Sequence, residues 1–262
     1  MGNIKISNLK YSCNKTNILK GINFNLRKNK TLSIIGTPGS GKTTLLKVLN
    51  NELSYDGEIL INGLEVNKKN SKALNRAFLA VFRETDFINE VVINELRYPM
   101  ENIGMDPKKV SKEIDRINEF FNLKEILNFP IEALNQNDKT LIKILSYALC
   151  KPTYLALDDL LIDLNERTKI LLLNYLNSND IYLINVTSNI EDVLYTDYLL
   201  CLYKGISAID GKTLDVLENE KVLKRLGFNL PFYIDLSIQL KLYGLLKKTC
   251  LNKEKMVKCL WK

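Results

Sequence analysis

The chain of 262 residues contains no histidine, one tryptophan and only seven arginines among its 37 basic residues. Without histidine, no imidazole is available as a general base, a metal ligand or a phosphate contact. The five cysteines are scattered and form no CxxC pair, so the sequence indicates neither a zinc site nor a disulfide framework. No apolar run approaches the roughly 18 residues that a membrane-spanning helix needs, and "MGNIKISNLKYS" lacks the build of a signal peptide. We therefore expect a cytoplasmic protein.

The formal net charge is +7, and hydrophobic residues make up 46% of the chain. That hydrophobic fraction lets one large domain, or one domain with an appendage, bury a core. The positive charge is typical of proteins that bind nucleic acid or anionic membranes, and equally of a solvated surface rich in lysine. Because no Lys/Arg block is long and arginine is scarce, the second interpretation is favoured and we expect no nucleic-acid partner.

Beta structure is predicted on both sides of a glycine-rich loop. Alternating apolar residues predict two strands between Ile4 and Lys30, and "TLSII" (31–35) predicts a buried strand that leads through the loop into the helix "GKTTLLKVLNNEL". After that helix, "GEILINGLEV" (57–66) predicts a hairpin, because its Asn62-Gly63 pair suits a tight turn. The glycine-rich loop therefore lies in a strand–loop–helix context.

The middle of the chain predicts a helical insert at about residues 87–150. In "DPKKVSKEIDRINEFFNL", Asp106 is the expected cap and Pro107 the first helical residue. The apolar residues that share one face of this helix are Val110, Ile114, Ile117 and Phe121. Farther on, the strands "TYLALDD" and "IYLINVT" alternate with helices and are followed by a hairpin, "YLLCLYKGISAID", which predicts a mainly parallel sheet with both faces covered. Beyond about residue 210 we expect helices, including an amphipathic "FYIDLSIQLKLYGLL".

The glycine-rich loop "GTPGSGKTT" satisfies the pattern GxxxxGK[ST] and predicts a nucleotide site. Its backbone amides and the following helix N-terminus suit phosphate, the ammonium of Lys42 reaches the outer phosphates, and the hydroxyl of Thr43 suits Mg²⁺. The predicted nucleotide-binding residues of the loop are Gly36, Thr37, Pro38, Gly39, Ser40, Gly41, Lys42, Thr43 and Thr44. Asp158, at the end of the apolar strand "YLAL", is the expected second group of the magnesium site.

The order of these motifs resembles the ATP-binding subunits of ABC transporters, in particular those of energy-coupling factor (ECF) transporters. The similarity covers "ILKGINFNL", the phosphate loop, "GEILINGLEV", "AVFRETDF", "YPMENIGM" and the tail "VLKRLGFNLPFYIDLSIQLKLYGL". It implies an α/β P-loop NTPase fold of ABC type, with an N-terminal antiparallel β subdomain. It also implies an ATP-binding domain over residues 1–210, which contains the helical insert, and a C-terminal helical extension over 211–262.

Several residues depart from the family pattern. The catalytic glutamate falls on Asp159, which is one methylene shorter, and the γ-phosphate histidine falls on Ser188, whose hydroxyl carries no charge. The glutamine that senses Mg²⁺ falls on Arg83, which would repel the metal but can pair with phosphate. The adenine-stacking aromatic falls on Cys13, with Tyr11 as the candidate substitute on the same strand.

The signature loop departs furthest, because "LNQNDKTL" (134–141) stands where LSGGQKQR is expected and both glycines are absent. Asp138 adds a negative charge there, although it also suits a helix start. The last residue of the family's D-loop motif, an aspartate, falls on Asn165. Two explanations are open: drift in a subunit whose motifs no longer matter, or an asymmetric pair in which one site is poor and the other good.

The resemblance therefore implies an ATP-binding subunit of an ECF-like importer that binds MgATP at a dimer interface and hydrolyses it weakly or not at all. Its implied partners are a second ABC ATPase, with a different chain favoured over a second copy, and an integral membrane transporter subunit. Its implied location is cytoplasmic, peripheral on the inner face of the cell membrane. One alternative is a soluble regulatory or scaffold protein of ABC fold that binds nucleotide without transport, and another is a P-loop kinase, which the β-rich N-terminal arm fits poorly.

Overall fold

The computed structural model describes residues 3–27, 29–250 and 253–260. The strands are β1 (Ile4–Cys13), β2 (Thr16–Leu26), β3 (Leu32–Gly36), β4 (Asp56–Ile61), β5 (Leu64–Glu65), β6 (Phe78–Val81), β7 (Tyr154–Asp158), β8 (Tyr182–Thr187), β9 (Tyr198–Tyr203) and β10 (Ile206–Lys212). The helices are α1 (Lys42–Leu49), α2 (Ser71–Ala77), α3 (Val92–Asn102), α4 (Pro107–Phe121), α5 (Gln136–Ala148), α6 (Glu166–Ser178), α7 (Thr213–Leu217), α8 (Glu220–Arg225), α9 (Phe232–Leu242) and α10 (Lys253–Leu260). Short 3₁₀ helices cover Lys68–Asn70, Ile131–Ala133, Leu161–Asp163 and Ile190–Tyr195.

The central sheet has the strand order β10-β9-β3-β8-β7-β6. All of its pairings are parallel except that of β10 with β9. The strands β3 and β7 are buried along their whole length, which explains why both read as short continuous apolar runs. The predicted mainly parallel sheet is confirmed, and its carboxyl edge brings the ends of β3, β7 and β8 together.

A second, antiparallel sheet has the order β2-β1-β4-β5 and forms the predicted N-terminal β subdomain. The hairpin between β4 and β5 turns at Asn62 (φ 56°) and Gly63 (φ 80°), which are the left-handed conformations that a type I′ turn requires. The two sheets meet where the backbone N–H of Lys20 in β2 donates to the carbonyl of Gly205, in the turn between β9 and β10, at 2.8 Å.

The helical insert contains α3, α4 and α5. The prediction for α4 is confirmed, because the Asp106 carboxylate accepts the backbone N–H of Lys108 at 2.9 Å and Pro107 is the first helical residue. Side chains of the insert share one hydrophobic cluster with β6, β7 and β8. Among the described residues, no helix is both long enough and apolar enough to cross a bilayer.

One helix prediction, that for α9, is wrong in detail. The helix α9 forms where expected but is not amphipathic, because its apolar residues recur at every second position and therefore lie all around the helix. Ile234 is buried against the chain, whereas Phe232 and Leu242 are exposed.

A buried ion pair fixes the segment that follows β8 to α6. The ammonium of Lys169 lies 2.7 Å from the Asp192 carboxylate, and these side chains are 11% and 1% exposed. Asn189 donates to the other oxygen of Asp192 at 3.1 Å. Removal of one partner from such a pair leaves an uncompensated charge in a medium that screens poorly.

We expect Asp192→Ala to lower the free energy of unfolding by about 3 kcal/mol, because it strands the buried Lys169 ammonium. Urea denaturation followed by circular dichroism measures the change. The matched control is Glu58→Ala, which removes a pair with Lys5 whose side chains are 52% and 53% exposed; it should cost less than about 1 kcal/mol. Equal losses in the two variants would contradict this assignment.

Candidate functional site

The loop of residues 36–44 connects β3 to α1, as the sequence predicts. Gly36 lies in a close backbone contact, because a Cβ there would lie 2.6 Å from the carbonyl oxygen of Leu202. Gly39 (φ 76°) and Gly41 (φ 100°) adopt left-handed conformations that a side chain would strain. No side chain caps α1, so its first backbone N–H groups remain available to an anionic ligand.

Lys42, Thr43 and Asp158 meet at the carboxyl edge of the central sheet. The ammonium of Lys42 donates to the carbonyl of Gly36 at 2.7 Å, and the Thr43 hydroxyl donates to the Asp158 carboxylate at 2.8 Å. Burial lowers the pKa of Lys42, although the carboxylates of Asp159 and Asp158 act to raise it. Burial also raises the pKa of Asp158, against the effect of the Thr43 hydrogen bond.

These residues fit a nucleotide and its magnesium ion. The Thr43 hydroxyl and the Asp158 carboxylate are hard oxygen donors of the kind that Mg²⁺ prefers. The loop combines a lysine with free helix N–H groups, which is the chemistry of a phosphate cradle. Such an ion, when bound, neutralises phosphate charge, while Lys42 and the loop backbone hold the phosphates in place.

Asp159 and Ser188, the two predicted catalytic residues, form a hydrogen-bonded pair. Asp159 has left-handed backbone geometry (φ 51°), and its N–H donates to the carbonyl of Val186 at 2.8 Å. Its carboxylate accepts the N–H of Ser188 at 2.9 Å and the Ser188 hydroxyl at 3.2 Å. The pair therefore joins the carboxyl ends of β7 and β8 next to Asp158.

Arg83 follows β6 and lies at the same edge of the sheet. Its guanidinium donates to the backbone carbonyl of Asp159 at 2.8 Å and to the carboxylate of Asp163 at 2.8 Å. The expectation that Arg83 pairs with phosphate stays a prediction. Sequence reasoning overlooked Asp163, which the 3₁₀ helix after β7 brings to this edge; the only signal was an acidic residue within "DDLLIDLN".

The segment 134–141, which stands in the position of the signature loop, leads into α5 and forms its first turns. The side chain of Asn135 caps the helix by accepting the backbone N–H of Asp138 at 2.9 Å. The Asp138 carboxylate in turn accepts the side-chain amides of Asn135 at 2.8 Å and Asn137 at 3.0 Å. Asn137 also accepts the N–H of Asn165 at 2.9 Å, which ties this loop to the start of α6. The side chain of Asn135 therefore caps one N–H of the helix start, and Asp138 places a negative charge there.

Tyr11 lies on β1 opposite Leu19 of β2 and is half-buried. Leu19 is itself packed under the phosphate loop, since a Cβ at Gly41 would lie 2.8 Å from its side chain. Tyr11 is therefore near the loop, whereas Cys13 is exposed at the end of β1. An adenine contact by Tyr11 stays a prediction.

Known proteins with similar sequences are ATP-binding proteins of ABC transporters. The family model described as "ABC transporter" matches residues 19–161, more than half of the chain. The chain is 26% identical over 260 residues to the energy-coupling factor transporter ATP-binding protein EcfA1 of Halalkalibacterium halodurans, covering 96% of this chain and 94% of that protein. It is also 26% identical over 261 residues to EcfA of Malacoplasma penetrans, covering 97% of this chain and 91% of that one.

Solved structures show the same fold. The structure of cbiO1 from Clostridium perfringens, described as part of the ABC transporter complex cbiONQ, has a TM-score of 0.74 at 23% identity and covers 87% of this chain and 95% of its own. A dimeric ATP-binding cassette with ADP and Pi bound has a TM-score of 0.70 at 18% identity, covering 80% of this chain and 98% of its own. The fold is therefore that of an ABC ATP-binding cassette, and the chain belongs to the ABC transporter family. The resemblance predicted from the motifs is confirmed.

We expect Gly36→Ala to weaken ATP binding at least about tenfold, which corresponds to about 1.4 kcal/mol. The new Cβ would lie 2.2 Å from the Ser40 hydroxyl and 2.6 Å from the Leu202 carbonyl, so the loop would have to move. Titration with a fluorescent ATP analogue measures the affinity. The control is Gly63→Ala, whose added Cβ meets no heavy atom within 4 Å and whose backbone strain (φ 80°) falls in the turn between β4 and β5, outside the phosphate loop. If both variants bind like the native chain, the close contact at Gly36 is irrelevant to the site.

Proposed function

We propose that this chain is the ATP-binding subunit of an ECF-like ABC importer that holds MgATP and hydrolyses it weakly or not at all at its own site. One observation carries the proposal. The phosphate loop is joined to Asp158 by the Thr43 hydrogen bond, whereas the neighbouring Asp159 carboxylate is hydrogen-bonded to Ser188. The relatives named as energy-coupling factor transporter ATP-binding proteins support the transport role.

Weak hydrolysis follows from what Asp159 can reach. A general base must lie within hydrogen-bond distance of its water, and this carboxylate is one methylene shorter than a glutamate. One of its oxygens accepts two hydrogen bonds from Ser188, which fixes the direction of the carboxylate. With no histidine in the chain, Ser188 offers the γ-phosphate a neutral hydroxyl, which stabilises developing charge less than an ionised donor does.

The acidic residue at the start of α5 supports pairing with a different ABC ATPase over pairing with a second copy of this chain. In the dimers that the family resemblance implies, this loop faces the nucleotide of the partner. Here the carboxylate of Asp138 lies at that helix start and would face phosphate oxygens of like charge. A second copy would place this unfavourable loop on both nucleotides, so a different ABC ATPase with an intact signature loop is the favoured partner.

A groove on the helical insert supports an integral membrane partner, which would place the chain on the inner face of the cell membrane. The groove is a cavity of about 480 Å³ between α2, α3 and the end of α5. Its lining includes three exposed apolar side chains, Ile88 (65%), Tyr98 (39%) and Ile103 (53%). Clustered exposed apolar residues of this kind are typical of docking surfaces. The rival proposal, a regulatory ABC-fold protein without transport, does not require this groove.

The purified chain should bind MgATP and yet turn it over at less than about 1 per second, below the usual range for enzymes. Isothermal titration and a coupled phosphate assay measure the two quantities. Lys42→Ala is the binding control and should abolish the heat of binding. Adding Asp159→Glu and Ser188→His should not raise turnover in the isolated chain, because the signature loop remains defective. Rapid turnover by the native chain would contradict the proposal.

We expect the groove to determine which proteins co-purify with the chain. Affinity purification from detergent-solubilised native membranes should recover an integral membrane protein and a second ABC ATPase. Ile103→Lys should remove the membrane protein from the eluate, because it places a charge in an apolar contact. Ile170→Lys is the matched control, since Ile170 is similarly exposed (48%) but lies on α6, outside the groove. Recovery of soluble partners alone would favour the regulatory alternative.

A further inference from the structure

A polar cluster joins the helical insert to the carboxyl edge of the central sheet. Its centre is the ion pair of Arg83 and Asp163, whose side chains are 53% and 12% exposed. The guanidinium uses one nitrogen for the Asp163 carboxylate and the other for the carbonyl of Asp159, each at 2.8 Å. One planar group thus holds two acceptors in the segment that follows β7.

The same ion pair is contacted by one face of α5. The second oxygen of Asp163 accepts the Gln136 amide at 3.1 Å and the Thr140 hydroxyl at 3.5 Å. The ammonium of Lys143 donates to the backbone carbonyl of Arg83 at 3.1 Å. These three residues of α5 occupy positions i, i+4 and i+7, which lie on one side of a helix.

We infer that Arg83 is a positioning residue that clamps the start of α5 to the segment containing Asp159. The Arg83 clamp comprises Arg83, Asp163, Gln136, Thr140 and Lys143. It fixes the loop that faces a partner subunit relative to the residue in the position of the catalytic base. The inference rests on the proposed function only in treating those two segments as parts of a nucleotide site.

The chemistry of the clamp depends on the shape of the guanidinium. A planar fork donates in two directions at once, whereas the ammonium of a lysine is a point charge on a flexible stem. Because Asp163 is nearly buried, solvent screens this pair less than a surface ion pair. Arg83→Lys therefore keeps the charge and loses the bridge.

The test is hydrogen exchange of the amides in residues 136–143, measured by mass spectrometry on the full chain without nucleotide. Arg83→Lys and Asp163→Asn should each raise exchange about tenfold, the effect expected when charge-assisted hydrogen bonds are lost. The charge-reversed pair, Arg83→Asp with Asp163→Arg, should not restore the protection, because a carboxylate at position 83 cannot donate to the Asp159 carbonyl and a guanidinium at position 163 cannot accept from Gln136 and Thr140. Circular dichroism confirms that each variant is folded.

The matched control is Glu113→Gln, which removes another ion pair of the insert, with Lys151 at 2.7 Å, away from Arg83. It should leave exchange in residues 136–143 within about twofold of the native chain, since it touches none of the clamp residues. Unchanged exchange in Asp163→Asn, or loss of ATP affinity in Arg83→Lys with native exchange, would overturn the inference. A chain that binds no ATP would defeat the proposed function and leave this measurement valid.

Discussion

The hydrogen bond between the Thr43 hydroxyl and the Asp158 carboxylate holds together two segments that are 115 residues apart. It joins the phosphate loop at the end of β3 to the end of β7, with β8 between them in the sheet. Because parallel strands present their carboxyl ends at one edge, the sheet also brings Asp159, Ser188 and Arg83 to the edge that this bond spans. Gly36 serves the same constraint, since the chain there passes close to the β9 backbone at Leu202.

The features of the fold and the site that could be predicted from the sequence are those that depend on neighbouring residues. The phosphate loop, the Asn62-Gly63 turn and the Asp106 cap each depend on residues within a few positions, so pattern and propensity identify them. The short strand β6 and the contacts of Asp163 were not predicted, because both depend on segments far away in the chain. The amphipathic prediction for α9 is wrong for another reason. Apolar residues at every second position of a helix do not share one face but are spread around the whole helix.

Binding and hydrolysis place different demands on this site. The phosphate cradle depends on backbone N–H groups and glycine conformations, and a neighbouring side chain can change without altering them. Hydrolysis depends on the direction and reach of a carboxylate, for which a displacement of about 1 Å can cost roughly a hundredfold in rate. Four hydrogen bonds hold Asp159, one at its N–H, one at its carbonyl and two at its carboxylate. With its N–H, its carbonyl and one carboxylate oxygen all hydrogen-bonded, Asp159 is well placed as a structural link and poorly placed to move toward a water.

The distribution of charge explains why such a site would need an unlike partner. At its own phosphate loop this chain carries the cation Lys42, whereas the nearby Arg83 is already paired with Asp163. At the partner's nucleotide it would contribute Asp138, a carboxylate at a helix N-terminus where a phosphate would otherwise profit from the free N–H groups. In a pair of identical chains both nucleotides would meet that carboxylate, and the repulsion would oppose closure twice. In the proposed pairing with a different ATPase, one interface could keep an intact signature loop, and closure over that nucleotide alone could hold the pair together.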